Sequence, residues 1–270
     1  WSASPQASLT FSLLWHFTCG QAQLSGLSLG VGLAVVRALD DCGARGAMLK
    51  WPNDVLYHDA KLAGILIELC GDPERAQAVI GIGLNLLPPD TDKTGKPDGG
   101  TEAFMMPAAS VDAMVSPAPE RNLLLAAILK ALAAMLDRFA QTGFAGLRDE
   151  WLARHAWQTC PVCVLRDGRV VAEGLCCGVD VDGTLLVQTP AGVIRCLSGD
   201  VSLRAAGFDA VGGVGDAGRG VAPSGFGQDL VVGQEGQLLV HHPDVAPIGD
   251  NVDVFLGDDF RKAVDRHLQE

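Results

Sequence analysis

From Trp1 to Val36 the chain carries no Asp, Glu, Lys or Arg. An uncharged stretch of that length invites a membrane span, and its periodicity argues against one. In Leu9-Thr10-Phe11-Ser12-Leu13-Leu14-Trp15-His16-Phe17 the large apolar residues fall at every second position, as in a strand with one buried face. Leu27, Val31, Ala34, Val35, Ala38 and Leu39 then recur at helical spacing, with Arg37, Asp40 and Asp41 entering at the far end. A strand and a packed helix are too polar and too interrupted for a span of roughly 20 apolar residues. No basic segment or cleavage site precedes them, so no secretory signal is read.

Positive charge is scarce throughout: 20 Lys and Arg stand against 32 Asp and Glu, a net charge of -12. The resulting pI near 4.8 repels a phosphate backbone and an anionic membrane face, which predicts no nucleic-acid and no membrane partner. The cysteines, at 19, 42, 70, 160, 163, 176, 177 and 196, lack the spacing of a disulfide framework. A reducing cytoplasm suits them best. Cys160-Pro161-Val162-Cys163 has zinc-knuckle spacing, and Cys176-Cys177 would complete four ligands. No second C-x-x-C follows, however, and residues three apart on a strand face opposite sides, so a structural role is favoured. The chain opens on Trp1 rather than Met, which reads as a fragment or a processed product.

What is present is a chain of 270 residues, 48% hydrophobic and 19% charged, enough for a sizeable core and for two domains. Strands and helices alternate over residues 1 to 90: Ala47 to Lys50 and Val55 to Tyr57 flank a Trp-Pro-Asn-Asp turn, Leu62 to Leu69 reads as a buried strand, and Ala78 to Leu86 as another. Residues 88 to 119, rich in Pro, Gly, Asp and Thr, mark a long surface excursion. Leu123, Leu124, Ala127, Ile128, Ala131, Leu132, Met135, Leu136 and Phe139 then predict a long helix. Trp151 to Trp157 reads as a short helical link. Short strands at 162 to 165, 169 to 171, 185 to 187 and 193 to 195, with turns at Asp167-Gly168 and Asp182-Gly183, predict a small all-β barrel. Residues 207 to 227 are glycine-rich and expected to be flexible. Two apolar runs, 230 to 232 and 238 to 240, and a helix capped near Asp258 or Asp259 follow, with no chemistry assigned to them.

The chemistry-bearing residues cluster. Pro52 keeps Trp51 out of the helical region, so Lys50 to Asp54 forms an extended turn that sets Asn53 beside Asp54 at a strand end. Lys61 precedes an apolar strand at the edge of a dry pocket. Gly64, Gly81 and Gly83 interrupt strands, where a glycine often marks close approach by a ligand or another backbone, and Asn85 adds an amide. Each feature alone has an ordinary explanation in packing, turn formation or solvated charge. Together they describe a narrow slot for a largely neutral, extended ligand with one anionic end.

Lys50-Trp51-Pro52-Asn53-Asp54, Lys61-Leu62-Ala63-Gly64-Ile65-Leu66-Ile67-Glu68 and Gly81-Ile82-Gly83-Leu84-Asn85 resemble the K-W-P-N-D, K-x-x-G-I-L-x-E and G-x-G-x-N runs of the biotin protein ligase family. Residues 178 to 185 and 199 to 204 resemble that family's C-terminal barrel, and Trp1 to Pro5 the segment after its ligand loop. The resemblance covers residues 1 to about 206. It implies an α+β fold: a mixed sheet flanked by helices in a class II aminoacyl-tRNA synthetase-like core over 1-155, lacking its N-terminal part, then an SH3-like barrel over 156-206, with a Gly-rich linker and unassigned tail over 207-270.

The resemblance further implies ATP-dependent ligation of biotin, through biotinyl-AMP, to a lysine of a biotin carboxyl carrier domain, with Mg²⁺ assisting. Lys61 and Asp54 would be catalytic. Lys61, Gly64, Leu66, Gly81 and Gly83 would bind biotin, and Trp1, Lys50, Asn53, Asn85 and Arg204 the nucleotide. Asp54 would orient or deprotonate the incoming lysine, with a place near Mg²⁺ as a further role. The family's Arg/Gly-rich loop would precede Trp1, as would an upstream Thr-Asn strand. A non-catalytic module retaining the fold and a lipoate or octanoate transferase are the alternative readings. Pairing of two copies through a sheet edge stays open.

Overall fold

The computed structural model of the chain describes residues 7-72, 74-88, 106-166, 169-198, 201-205 and 252-255. Trp1, the Asp167-Gly168 turn, the glycine-rich stretch, both apolar runs of the tail and the proposed terminal helix lie outside them.

The first sheet holds β1 (Ser8–His16), β2 (Met48–Lys50), β3 (Asp54–Tyr57), β4 (Ala60–Asp72), β5 (Arg75–Asn85) and a distant strand, β11 (Val252–Phe255), in the order β11-β1-β5-β4-β3-β2. Its ladders are antiparallel, because short turns join β2 to β3, β3 to β4 and β4 to β5. Among the described residues parallel pairing is confined to two isolated bridges, Leu49 with His155 and Lys61 with Ala108. β11 pairs with β1 from within the tail, where the sequence offered no strand.

The alternation expected of β1 is present. Leu9, Phe11, Leu13 and Trp15 are buried on one face, together with Ile80, Ile82 and Leu84 of β5 and Ala63 and Ile65 of β4. β4 is less buried than its apolar run suggested: Leu69 is 40% exposed, because the β4–β5 hairpin projects into solvent at that end. Helix α1 (Leu27–Asp41) lies between this face and helix α2 (Arg121–Thr142). Two glycines make the sandwich possible: a Cβ on Gly30 would lie 2.8 Å from Met135 Sδ of α2, and one on Gly32 3.0 Å from Leu49 Cδ2 of β2. The buried stripe of α2 is Leu124, Leu125, Ile128, Leu129, Leu132, Met135, Leu136 and Phe139. Leu123, expected within it, is 47% exposed. It sits in the first turn, where its amide donates to the Glu120 carboxylate that caps the helix.

The short helix α3 (Arg148–Leu152) leads to a second, five-stranded antiparallel sheet of β6 (Pro161–Arg166), β7 (Arg169–Val179), β8 (Leu185–Thr189), β9 (Gly192–Cys196) and β10 (Val201–Ala205), ordered β10-β6-β7-β8-β9. β7 runs well past Val171, to Val179, with a register shift between Cys176 and Val179. The turn after it holds Gly183 at φ 80°, the left-handed conformation expected of Asp-Gly. This sheet docks on the first through specific bonds. Trp51 Nε1 donates to Gly183 O (3.1 Å), Ser25 Oγ to Asp182 O (2.6 Å) and Arg148 Nε to Val179 O (2.8 Å). All eight cysteines are free thiols. Among the described residues no helix is long and apolar enough to cross a membrane.

Candidate active site

The site occupies the sheet face opposite α1. Strand register aligns Lys50 with Asp54, Asp54 with Gly64, Gly64 with Gly83 and Gly83 with Thr10, one row across five strands. The next row on the same face is Leu66, Gly81 and Ser12. Three glycines in adjacent positions leave a floor without side chains, bounded by Leu66 and by the hydroxyls of β1. At Gly81 an added Cβ would lie 3.5 Å from Ser12 Oγ and 3.6 Å from Leu66 O. The protein itself therefore leaves room there for a methyl group.

A β-bulge delivers Lys61 to this face. Leu56 of β3 pairs with Lys61 and Val55 with Ala63, leaving Leu62 as an extra residue in β4. Strict alternation would put Lys61 on the same side as Ala63, against the core. The extra residue reverses its phase, and Lys61 Nζ reaches Asp54 Oδ1 at 2.5 Å. Lys50 Nζ holds the other oxygen, Oδ2, at 2.7 Å, and lies 5.3 Å from the centre of the Trp157 ring.

Burial opposes ionisation of Asp54, but the Lys50 and Lys61 ammonium groups outweigh it and hold the carboxyl below the usual carboxylate range. Burial draws Lys50 below the usual lysine range; Asp54 opposes this, while Arg204 and Lys61 add to it. Arg204 arrives on β10, close enough for its charge to act on Lys50. Its Nε is buried without a hydrogen-bond partner among the described residues, and Nη1 donates to Leu203 O. Two ammonium groups thus hold one carboxylate, with a guanidinium close enough to act on one of them.

Several expected site residues are already engaged. Asn53 Nδ2 donates to Ile65 O (2.8 Å), fixing the turn against β4. Asn85 Nδ2 donates to Lys61 O (3.3 Å) and Ala109 O (2.9 Å). Lys50, expected to face phosphates, is only 4% exposed and reaches the site through Asp54. The donors do not fit a Mg²⁺ ion at Asp54: each carboxylate oxygen is held by an ammonium group, and no group of three or more His, Cys, Asp or Glu with metal-binding geometry occurs among the described residues. A cleft of about 440 Å³ lined by Arg45, Met48, Tyr57 and His58 lies at the other end of the β2–β3 hairpin and includes none of these lysines.

Sequence reasoning missed Trp157, Thr10, Ser12 and the segment 107 to 109. For Thr10 and Ser12 the signal was available, since they are the polar half of the β1 alternation. For Trp157 and the 107 to 109 segment, nothing local marks a role.

The chain matches the model of the Biotin/lipoate A/B protein ligase family over residues 1–85 and that of the Biotin protein ligase C terminal domain over residues 161–204. It is 38% identical to a biotin–[acetyl-CoA-carboxylase] ligase of Paracoccus denitrificans over 64% of this chain and 70% of that protein. It is 31% identical to the bifunctional ligase/repressor BirA of Escherichia coli over 76% of this chain and 61% of that protein, so it spans about three fifths of that relative. A solved biotin protein ligase of Aquifex aeolicus, a point mutant in complex with biotin, superposes with a TM-score of 0.60 at 26% identity, covering 74% of this chain and 78% of that one. Motif spacing, fold and these likenesses agree, and the chain belongs to the biotin protein ligase family.

Proposed function

We propose that this site joins biotin to AMP and then passes the biotinyl group to a lysine of a biotin carboxyl carrier domain. The observation that carries the reading is the pair Lys50 and Lys61 on the single carboxylate of Asp54, with Arg204 acting on Lys50, at the end of a glycine-floored slot. A slot floored by Gly64, Gly81 and Gly83 and walled by Leu66 suits a flat, largely neutral body such as biotin. The surplus of positive charge suits a carboxylate meeting a triphosphate.

In the first step a biotin carboxylate oxygen attacks the α-phosphorus of ATP and the bond to pyrophosphate breaks. In the second, the uncharged carrier amine attacks the anhydride carbonyl, the bond from the carbonyl carbon to the bridging phosphate oxygen breaks, AMP leaves, and the nitrogen's surplus proton passes to solvent. Lys61 stabilises the charge gathering on phosphate and carbonyl oxygens in both. Arg204 reaches the triphosphate from β10. Asn53 and Asn85 serve the nucleotide through their amide oxygens, which can accept from an exocyclic amine. Trp1 is assigned to the nucleotide by resemblance. Asp54, held well ionised by two lysines, is a weak base; it orients the carrier amine and is not its principal proton acceptor. Lys50 acts by fixing Asp54. Mg²⁺ has no carboxylate cage here and would enter with the triphosphate. The net charge of -12 agrees with a partner that is a protein and not a nucleic acid.

The test is biotin-dependent release of pyrophosphate from ATP by the full-length protein. Lys61→Ala is expected to lose about a hundred- to a thousandfold in rate, the usual loss on removing one donor to a developing anion. Release at the parental rate would overturn the role given to Lys61. Release supported by lipoate or octanoate in place of biotin would redirect the substrate.

A further inference from the structure

We propose that Trp157 is a positioning residue whose ring holds the buried ammonium of Lys50 against Asp54, so that Asp54 does not neutralise Lys61; this rests on the role given to Lys61 above. β2 is an edge strand of the first sheet, and its open side is taken by residues 154 to 156: Leu49 N donates to Arg154 O (2.7 Å) and Ala156 N to Leu49 O (2.8 Å). The bridge is parallel, so the two segments advance together, and Trp157 arrives beside Lys50 with its ring centre 5.3 Å from Nζ. The chain after Trp157 is fixed from the other side. Cys160 N donates to Trp157 O (3.2 Å), Thr159 N to Cys176 O (2.9 Å) and Cys176 N to Cys160 O (2.9 Å), which fastens this turn to β7. Trp157 is thus held between a strand of each sheet, and it is only 8% exposed.

An ammonium group has three protons to place. Among the described residues Lys50 gives a hydrogen bond to one acceptor, Asp54 Oδ2 at 2.7 Å, and its burial leaves water little access to the rest. The electron-rich face of an indole attracts a cation, most strongly where water is excluded. Burial draws Lys50 toward its neutral form, Asp54 opposes this, and the charges of Arg204 and Lys61 add to it. Trp157 supplies attraction from a group that carries no charge of its own. Its effect reaches the reaction through Asp54, whose other oxygen lies 2.5 Å from Lys61 Nζ. With Lys50 in place one carboxylate serves two ammonium groups, and Lys61 keeps positive charge for the developing anions. Without it, Asp54 pairs with Lys61 alone and cancels the cation on which both steps depend.

The experiment measures biotin-dependent pyrophosphate release by the full-length protein in Trp157→Leu and Trp157→Phe, each with Lys50 and with Lys50→Met, together with the Lys50 side-chain resonances in lysine-labelled protein. Trp157→Leu is expected to lower kcat about tenfold, in keeping with the strength of a desolvated cation–π contact. Trp157→Phe, which keeps an aromatic face, should stay within about threefold of the parent. In Lys50→Met the loss caused by Trp157→Leu should shrink to within about twofold, since a residue acting through another has nothing left to act on. The upfield ring-current shift of the Lys50 ε-protons in the parent should persist in Trp157→Phe and be lost in Trp157→Leu. An equal loss of rate in both backgrounds, or Phe as damaging as Leu, would make Trp157 a packing residue and overturn the proposal. Lys50 resonances unmoved by Trp157→Leu would overturn it too. Should Lys50→Met not fold, the comparison of Leu with Phe and the resonances still decide. If the parent releases no pyrophosphate, the proposed reaction fails on its own, and the Lys50 resonances alone decide whether the ring holds the ammonium.

Discussion

Asp54 is held at both oxygens, and the two lysines are not equivalent. Lys50 is buried with it, whereas the Lys61 side chain is 33% exposed. Removing the buried partner leaves a carboxylate with half its compensation, so Lys50→Met should destabilise the fold by about 3 kcal/mol, within the range for breaking a buried pair. The folded-state pKa of Asp54 lies below its ordinary value. Its contribution to stability is therefore complete at neutral pH and is lost as pH falls through the carboxylate range toward that depressed value. Urea unfolding between pH 7 and pH 3 should show this acid loss in the parent and less of it in Lys50→Met. The Lys50-Asp54 spacing was visible in the sequence, but its meaning was not. Four residues apart reads as turn neighbours, and only the hairpin register makes them cross-strand partners, with Lys50 buried against Asp54.

β4 and β5 carry the slot as elements. Gly64, Gly81 and Gly83 were recognisable as interruptions in apolar strands because period-2 alternation exposes a missing side chain. That they lie side by side depends on register, which sequence does not print. Gly81→Ala tests the slot apart from the fold. The added methyl meets only ordinary contacts, so the melting temperature should stay within a few degrees, while biotin affinity measured by calorimetry falls at least about tenfold, some 1.4 kcal/mol. A large loss of stability would place Gly81 in packing instead. The helices were legible for a simpler reason: α1 and α2 bury continuous stripes, and a 3.6-residue period survives without knowledge of the partner. The bulge at Leu62 and the Lys61–Ala108 bridge were not legible, since the first is a matter of register and the second pairs residues more than 40 apart in sequence.

At the scale of the whole molecule, the two sheets meet through the motif that builds the site. Trp51 lies between Lys50, which holds Asp54, and the turn that holds Asn53, and its indole bonds the Asp182-Gly183 turn of the second sheet. Arg204, on a separate element, comes close enough for its charge to act on Lys50. His155 sits near this joint, stacked on Trp151 and bonded to Gln158; burial pushes it down to about 4, partly offset by the Gln158 bond. The unfolded chain takes up a proton near pH 6.5, and the folded one only near 4, so stability should decline across that window as pH falls, by about 3 kcal/mol in all. Melting temperatures at pH 7, 5.5 and 4 should show a shallower decline in His155→Gln; an identical decline would place the acid sensitivity elsewhere. The two-part organisation was legible from the change in strand length and turn chemistry after Trp157. The bonds that couple the parts were not, because each joins residues more than 30 apart in sequence.

The extra residue at Leu62 makes chain length, more than side-chain identity, the sensitive variable in this stretch. Replacing Leu62 by another large apolar residue alters the volume of one buried side chain. Inserting one residue into β3 between Val55 and Leu56 would give Leu62 a partner and restore even alternation, turning the ammonium of Lys61 into the apolar layer beneath the sheet. The hairpin behaves like a sentence with a reading frame: its words tolerate synonyms, but the gain of one letter garbles the line that follows.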